Sequence, residues 1–141
     1  MSHTSLSYHL VFVTYAREKV ILPEHERELY SFIYSIATSQ GVTIRCIGGM
    51  QDHIHILCDI KPTLSVSQIV KIIKSESSKF MRINPNFRFW RGWGEGYGAF
   101  TVSPSARDKV INYILNQKMH HAGISFEMEY TDMLSSAGLE S

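Results

Sequence analysis

The most informative part of the sequence for the fold is residues 42–60, VTIRCIGGMQDHIHILCDI. Its two halves, residues 42–50 and 53–60, are rich in β-branched and aliphatic side chains and are separated by two polar residues. This pattern predicts two antiparallel strands joined by a tight turn. Gly48 and Gly49 weaken the end of the first strand, so we expect a β-bulge at that point.

The second of these strands carries two histidines at alternate positions, His53 and His55. Because side chains alternate along a strand, both imidazoles fall on one face of the sheet, about 6.6 Å apart. Ile54 and Ile56 then point to the other face, which we expect helices to cover, while the histidine face stays open. Two imidazoles at this spacing can hold one divalent cation, although two polar positions on a half-exposed strand give the same pattern.

Hydrophobic periodicity predicts further strands and helices on both sides of this hairpin. A glycine-broken, irregular segment over residues 84–98 follows the second helix. The final helix is expected to have Ser103 as its cap and Pro104 at its first position. The predicted elements are a strand over residues 7–15, a helix over 23–40, a helix over 65–82, a strand over 98–103 and a helix over 104–121.

The order β-α-β-β-α-β-α predicts an α+β, ferredoxin-like fold. Four strands form an antiparallel sheet with two helices on one face, and one extra helix follows at the C-terminal end. A chain of 141 residues supports one domain, over residues 1–141. Residues 124–141 are expected to form a peripheral tail with at most a short strand and a helical turn.

Composition excludes several classes of protein. The apolar runs all fall short of the roughly 18 residues that a membrane span requires, and residues 1–8 lack the features of a secretion signal. Cys46 and Cys58 lie within apolar strand-like runs. We therefore expect a cytoplasmic protein with two reduced, buried thiols rather than a disulfide or a cysteine metal site.

Basic residues are concentrated in one segment of a chain whose net charge is +1. Residues 61–91 contain seven basic groups and one acid, and the segment ends in aromatic residues. Cations beside aromatic rings suit single-stranded nucleic acid, but a solvated helix face followed by core aromatics gives the same pattern. The candidate nucleic-acid contacts are Lys71, Lys74, Lys79, Arg82, Arg88, Trp90 and Arg91.

The last predicted helix carries Tyr113 and Gln117, four residues apart and therefore on one helix face. A tyrosine hydroxyl can attack a phosphodiester and conserve the broken bond as a phosphotyrosine, whereas a tyrosine at a helix edge is more often a packing residue. A cation held by two histidines and one amide oxygen could polarise the phosphate. His120 and His121 are either cations at the helix C-terminus or metal ligands.

Four stretches, taken in order, carry a family resemblance. Residues 50–57 (MQDHIHIL) match the histidine–hydrophobic–histidine (HUH) signature. Residues 8–14 (YHLVFVT), 96–103 (GYGAFTVS) and 113–117 (YILNQ) agree as well. Together they resemble the small single-tyrosine HUH transposases of the Insertion Sequence 200/605 group, also called IS200-like transposases of the TnpA type.

This resemblance implies an RRM-like HUH fold and an enzyme that cuts and rejoins single-stranded DNA at the hairpin-marked ends of a mobile element. Tyr113 would be the nucleophile, forming a 5′-phosphotyrosine. His53, His55 and Gln117 would ligate Mg²⁺ or Mn²⁺. The family further implies a homodimer in which the tyrosine helix of one subunit completes the histidine site of the other, in a bacterial or archaeal cytoplasm.

Two differences from the family pattern leave alternative functions open. Many family members have proline where this chain has Gln51, and the His120–His121 pair with its acidic tail resembles the branch associated with repetitive extragenic palindromes, in which monomers and domesticated copies occur. The alternatives are a non-catalytic protein that binds hairpins or single-stranded DNA on the same fold, and a small metal hydrolase acting on another substrate.

Overall fold

The computed structural model describes residues 2–139 and contains a four-stranded antiparallel sheet with strand order β2-β3-β1-β4. This order is that of the ferredoxin-like arrangement, so the predicted fold class is confirmed. The strands are β1 (Ser7–Val13), β2 (Thr43–Met50), β3 (His53–Asp59) and β4 (Gly98–Val102). The helices are α1 (Glu26–Ser39), α2 (Val66–Arg82), α3 (Arg107–Leu115), α4 (Gln117–His120) and α5 (Phe126–Ser136).

Helices α1 and α2 cover one face of the sheet and form the main core with it. Alternate residues of the strands supply the sheet side of this core, including Phe12 of β1 and Ile54 of β3, both fully buried. Burying each such side chain contributes roughly 1.5–3 kcal/mol to folding. The α2 helix begins where predicted, because the Ser65 hydroxyl accepts a hydrogen bond from the backbone N–H of Gln68 at 3.1 Å.

The C-terminal helices cover the opposite face, which is the face that carries the histidines. Ile114 of α3 is fully buried against Leu57 of β3 in a second, smaller apolar cluster. His53 and His55 are both 0% exposed. The expectation of an open histidine face is therefore wrong, because α3, α4 and α5 return over the sheet and remove it from solvent.

A close approach between α3 and β2 depends on Gly48. A Cβ atom at this position would lie 2.3 Å from the Ile114 carbonyl oxygen, so the helix backbone rests directly on the strand. Gly48 pairs in register with His55, and the predicted bulge at Gly48 and Gly49 is absent from the β2–β3 ladder. The register shift lies instead at Arg45, between Ile44 and Cys46.

Substituting Gly48 by alanine should destabilise the fold, because the added methyl group must displace the α3 backbone. We expect a loss of about 1–3 kcal/mol in the free energy of unfolding, measured by urea denaturation. Gly123→Ala is the matched control, since a Cβ atom at Gly123 meets nothing within 4 Å. Equal stability of the two variants would contradict the close contact between α3 and β2.

The end of the chain differs from prediction in three respects. The helix predicted over residues 104–121 is broken at Asn116, whose backbone leaves the helical region and whose side-chain amide donates to the Asn112 carbonyl at 2.8 Å. Ser103 makes no capping hydrogen bond, and a short 3₁₀ turn over Pro104–Ala106 precedes α3. The tail is not peripheral, since it forms α5; its residues 140 and 141 lie outside the described part.

The prediction of free, buried thiols is confirmed for Cys46 and Cys58. Burial raises the pKa of the Cys46 thiol to about 11 and that of Cys58 to about 12, so both stay protonated at neutral pH. Within residues 2–139, none of the helices has the length and apolar character that crossing a bilayer would demand.

Candidate active site

Strand β3 presents two buried imidazoles to the C-terminal helices. The ring centroids of His53 and His55 are 5.1 Å apart, as the alternation along a regular strand requires. Both rings direct Nε2 toward residues of the C-terminal helices and Nδ1 toward other partners. The sequence therefore predicted the side of the sheet correctly for both histidines but not their complete burial.

Gln117 lies directly over the first of these imidazoles. Its side-chain oxygen Oε1 is 2.9 Å from His53 Nε2, and the residue is 1% exposed. The neighbouring Lys118 fixes α4 by pairing with Glu26 of α1, with its Nζ 2.8 Å from Glu26 Oε2. The structure thus brings His53, His55 and Gln117 together within one chain.

Glu129 of α5 occupies the centre of the cluster. Its Oε1 atom lies 3.1 Å from His55 Nε2 and 3.5 Å from His53 Nε2. Its Oε2 atom accepts hydrogen bonds from the Gln117 side-chain amide at 2.9 Å and from the Tyr113 hydroxyl. Glu129 is 2% exposed, so this carboxylate is buried, and both of its oxygens have polar partners.

Sequence reasoning missed Glu129 because its local pattern looks like a solvated surface. Glu127, Glu129 and Asp132 form an acidic series in a short segment that lacks basic residues. A signal was nevertheless present: Phe126 and Tyr130 are four residues apart and give α5 an apolar edge, which requires a surface to pack on.

Tyr113 stands beside the second imidazole. Its ring centroid is 5.6 Å from that of His55 in an edge-on arrangement, and its hydroxyl donates to Glu129. Burial raises the pKa of the Tyr113 phenol well above its usual value, and the nearby Glu129 charge raises it further. The phenol is therefore protonated in this arrangement.

The two adjacent histidines at the C-terminal end of α4, His120 and His121, join the cluster. His121 Nε2 lies 3.1 Å from Glu129 Oε2, and its Nδ1 lies 2.8 Å from the Ile124 carbonyl oxygen. His120 Nε2 lies 3.3 Å from the same Glu129 oxygen. The Glu129 carboxylate consequently meets imidazoles from both β3 and the α4 end.

Electrostatics keep Glu129 ionised. Burial alone would raise the pKa of this carboxyl, but hydrogen bonds from His55, Tyr113 and Gln117 outweigh that cost and hold the pKa well below its usual value. Burial lowers the pKa of His55, which favours its neutral form. A neutral imidazole beside an ionised carboxylate leaves both groups able to act as ligands.

Both strand histidines also have buried partners on their Nδ1 atoms. His53 Nδ1 lies 2.7 Å from Asp52 Oδ1, and His55 Nδ1 lies 2.8 Å from Nε2 of His9 in β1. Burial and the neighbouring His55 lower the pKa of His9 to about 3. Burial opposes ionisation of Asp52, but the hydrogen bond with His53 and the nearby Arg17 charge leave its pKa below the usual value.

The donor set fits a divalent cation. Ligand atoms of His53, His55 and Glu129 all lie within 4.8 Å of one another, and Gln117 adds an amide oxygen to the same space. Two imidazole nitrogens with one or two oxygens suit a first-row divalent metal better than a purely oxygen-seeking ion. These residues form a candidate divalent-metal site.

Comparison with known proteins places the chain in a family. The family model described as "Transposase IS200 like" matches residues 2–117. The chain belongs to the IS200-like transposase family. The resemblance seen in the sequence is thereby confirmed, and this family implies an enzyme that cleaves and joins DNA.

Individual relatives of this IS200-like transposase agree. The ISDra2 transposase TnpA of Deinococcus radiodurans is 29% identical over 117 residues, covering 79% of this chain and 84% of that protein. The transposase for insertion sequence element IS200 of Salmonella typhimurium is 29% identical over 124 residues, covering 83% and 81%. A solved REP-associated tyrosine transposase bound to a REP hairpin shares the fold, with a TM-score of 0.66 at 12% identity over 88% of this chain and 76% of that one.

The basic segment of this IS200-like transposase lies apart from the histidine cluster, because α2 packs on the opposite face of the sheet. Two of the predicted DNA contacts serve the fold. Lys74 donates to the carbonyl oxygens of Gly94 and Gly96 at 2.8 and 2.7 Å, and the buried Trp90 donates to Ser78. The exposed residues among the predicted contacts are Lys71, Lys79, Arg82, Arg88 and Arg91.

Two of these exposed residues form cation–aromatic pairs. The Arg88 guanidinium lies 4.6 Å from the centre of the Phe89 ring, and that of Arg91 lies 4.6 Å from the centre of the Tyr15 ring. Phe89 and Tyr15 are exposed. These pairs retain the combination of charge and stacking surface that predicted nucleic-acid contact, whereas Lys74 and Trp90 do not.

Proposed function

We propose that this chain is a metal-dependent transposase that cuts and rejoins single-stranded DNA through a covalent bond between Tyr113 and the DNA. The observation that carries the proposal is the position of the Tyr113 phenol, which lies beside His55 and shares the Glu129 carboxylate with the candidate metal ligands. In an IS200-like transposase, this arrangement supports Tyr113 as the nucleophile and the neighbouring ligand atoms as the cation site.

Each step of the reaction exchanges one phosphorus–oxygen bond for another. The Tyr113 oxygen attacks the phosphorus of a phosphodiester and loses its proton, while the bond from phosphorus to the 3′-oxygen breaks. The products are a 5′-phosphotyrosine and a 3′-hydroxyl, which takes up a proton. Attack by a 3′-hydroxyl on the phosphotyrosine reverses the exchange and rejoins DNA, so the reaction needs no nucleotide cofactor.

His53 and His55, with an oxygen from Glu129 or Gln117, would hold the divalent cation, Mg²⁺ or Mn²⁺. When bound, the cation supplies a Lewis acid for the phosphate oxygens. Glu129 holds the Tyr113 hydroxyl in position in the DNA-free protein. Because the pKa of this carboxyl lies well below its usual value, Glu129 is a poor proton acceptor for the phenol.

The tyrosine of one chain already lies beside the histidines of that same chain. This favours a site completed within one subunit. The homodimer with a site shared between subunits, which the family resemblance implied, stays a prediction. Hairpin ends as the recognised DNA feature draw support from the structural neighbour that binds a REP hairpin.

The test is the transfer of a DNA label to the protein. A single-stranded oligonucleotide containing a hairpin and the flanking DNA of the gene is labelled at its 3′ end and incubated with protein and Mn²⁺. We expect a labelled protein band on a denaturing gel, and no such band with a 5′ label. Binding without cleavage would support the non-catalytic binding protein, and cleavage without a labelled protein band would support the hydrolase.

The role of Glu129 as a cation ligand can be measured without DNA. Glu129→Gln replaces an anionic oxygen by a neutral amide, so we expect the affinity for Mn²⁺ to fall by about 10-fold or more in calorimetry. Glu127→Gln, an exposed acid on the same helix, is the matched control. Equal affinity in wild type and Glu129→Gln would leave Gln117 as the oxygen ligand.

A further inference from the structure

A cavity of about 480 Å³ opens beside the Tyr113 phenol, between β4, α3 and α5. Its volume falls within the roughly 300–1,000 Å³ that is usual for sites of small organic ligands. Tyr113 lines the cavity together with the buried residues His9 and Glu129. A group bound in this cavity therefore lies next to the proposed nucleophile.

The lining of the cavity is mainly apolar and carries little positive charge. Its large apolar side chains come from all three elements and are Phe100, Val102, Val110 and Met133. Of the lysine, arginine, aspartate and glutamate residues that line it, Lys109 is basic, whereas Glu129 and Asp132 are acidic. An anion inside the cavity would meet more negative than positive charge, so a neutral, flat group fits it better than a phosphate.

Phe100 supplies an aromatic surface to the cavity. It pairs with His9 across the β1–β4 ladder, which places its partly buried ring on the histidine face of the sheet. The rings of His9 and Tyr130 lie 6.2 and 6.3 Å from it between centroids, at interplanar angles of 59° and 70°. Neither of these neighbours stacks in parallel on Phe100. A nucleobase fits such a surface, because its flat π-face stacks on aromatic side chains.

The cavity joins this aromatic surface to the reacting group. The ring centroids of Phe100 and Tyr113 each lie 6.2 Å from that of His9. In DNA, one sugar ring joins a base to its phosphate. The base can therefore occupy the cavity at Phe100 while the phosphate lies at the Tyr113 hydroxyl.

We propose that this cavity holds a nucleobase adjoining the phosphodiester that Tyr113 attacks, and that this base stacks on Phe100. The inference rests on the proposed function for the position of the phosphate. It gives Phe100 a task in selecting the cleavage site, because a strand whose base does not enter the cavity holds its phosphate less precisely at the phenol.

Binding of the base can be measured without any reaction at Tyr113. Thymidine, deoxyadenosine and inorganic phosphate are titrated separately into wild-type protein with ¹³C-labelled methyl groups, and the resonances of Val102 and Met133 are followed. We expect both nucleosides to shift these resonances and phosphate to leave them unchanged. In Phe100→Leu the nucleoside affinity should fall by about 5-fold or more, whereas Phe100→Tyr, which keeps the ring, should bind as wild type does.

Tyr97→Leu is the matched control for loss of an aromatic ring. Tyr97 is an exposed residue directly before β4, and it lines a different cavity of about 170 Å³. The nucleoside affinity should be unchanged in this variant. An equal loss in Tyr97→Leu and Phe100→Leu, or shifts with phosphate as large as those with nucleosides, would overturn the base site.

The link to cleavage is tested with oligonucleotides that lack one base. Once the cleaved bond has been mapped on the intact strand, an abasic nucleotide on one side of it should lower the rate of label transfer to wild-type protein by about 5-fold or more. With Phe100→Leu the same abasic nucleotide should have little further effect, because the base and the ring belong to one contact. Wild-type rates with abasic nucleotides on both sides, or losses that multiply in Phe100→Leu, would contradict stacking on Phe100.

The inference and the proposed function fail in different ways. A covalent product without nucleoside-induced shifts, and without any effect of Phe100→Leu in folded protein, would leave Tyr113 as the nucleophile and remove the base site. Nucleoside-induced shifts without a labelled protein band would leave a base-binding cavity and count against the covalent reaction. Amide spectra identify any variant that has lost the fold, and Phe100→Met then replaces Phe100→Leu.

Discussion

Tyr113→Phe is expected to abolish the covalent protein–DNA product, lowering the rate of DNA cleavage by at least about 10³-fold. The substitution removes the single oxygen atom that bonds to phosphorus and leaves the aromatic ring against His55. Binding of hairpin DNA should be unchanged, because the exposed basic groups are unaffected. The measurement is the 3′-label transfer assay together with a binding titration of the same oligonucleotide.

Tyr34→Phe is the matched control for this experiment. Tyr34 is a partly exposed tyrosine on α1, on the other side of the sheet from the cluster. It should form the covalent product at the wild-type rate. A labelled protein band from Tyr113→Phe would place the nucleophile elsewhere and overturn the assignment.

His53→Ala should lower the rate of DNA cleavage to a similar extent, about 10³-fold, because it deletes one of the cation's imidazole ligands. It also leaves Asp52 and Gln117 buried without this partner, at a cost of about 1–3 kcal/mol in the free energy of unfolding. Chelation of the metal from wild-type protein with EDTA tests the same dependence without that cost. Activity should return when Mn²⁺ is added in excess.

His3→Ala provides the control for histidine removal as such, since His3 is exposed near the start of the chain. Cleavage that persists at the wild-type rate in both EDTA-treated protein and folded His53→Ala would contradict the cation's role. Loss of activity in His53→Ala alone, with EDTA having no effect, would point to the imidazole acting on DNA directly.

Local patterns predicted the parts of this molecule that depend on local geometry. Alternation along a strand placed His53 and His55 on one face, and the helical spacing brought Tyr113 and Gln117 to one side even though the helix breaks between them. The start of α2 next to Ser65 was predicted as well, because the helical period of the apolar residues begins there. Strand order followed from the sequence of elements alone.

Contacts between segments that are distant in the sequence could not be predicted in this way. Glu129 contacts His55, which lies 74 residues earlier in the chain. The residues next to Glu129 in the sequence give no indication of this contact. Gly48 was interpreted as a weak point in a strand, whereas it is the place where α3 rests on β2. The burial of the histidine face follows from that packing, and packing is a property of the folded chain.

The family match ends at Gln117, while Glu129 belongs to a helix that begins nine residues later. The paired strands, both imidazoles and the phenol thus all precede α5 in the chain. Insertions, truncations or charge changes within that segment would alter what lies over the histidines without disturbing the ladder beneath. Helix α5 and its carboxylate are therefore separable along the chain from the strands that carry the two imidazoles.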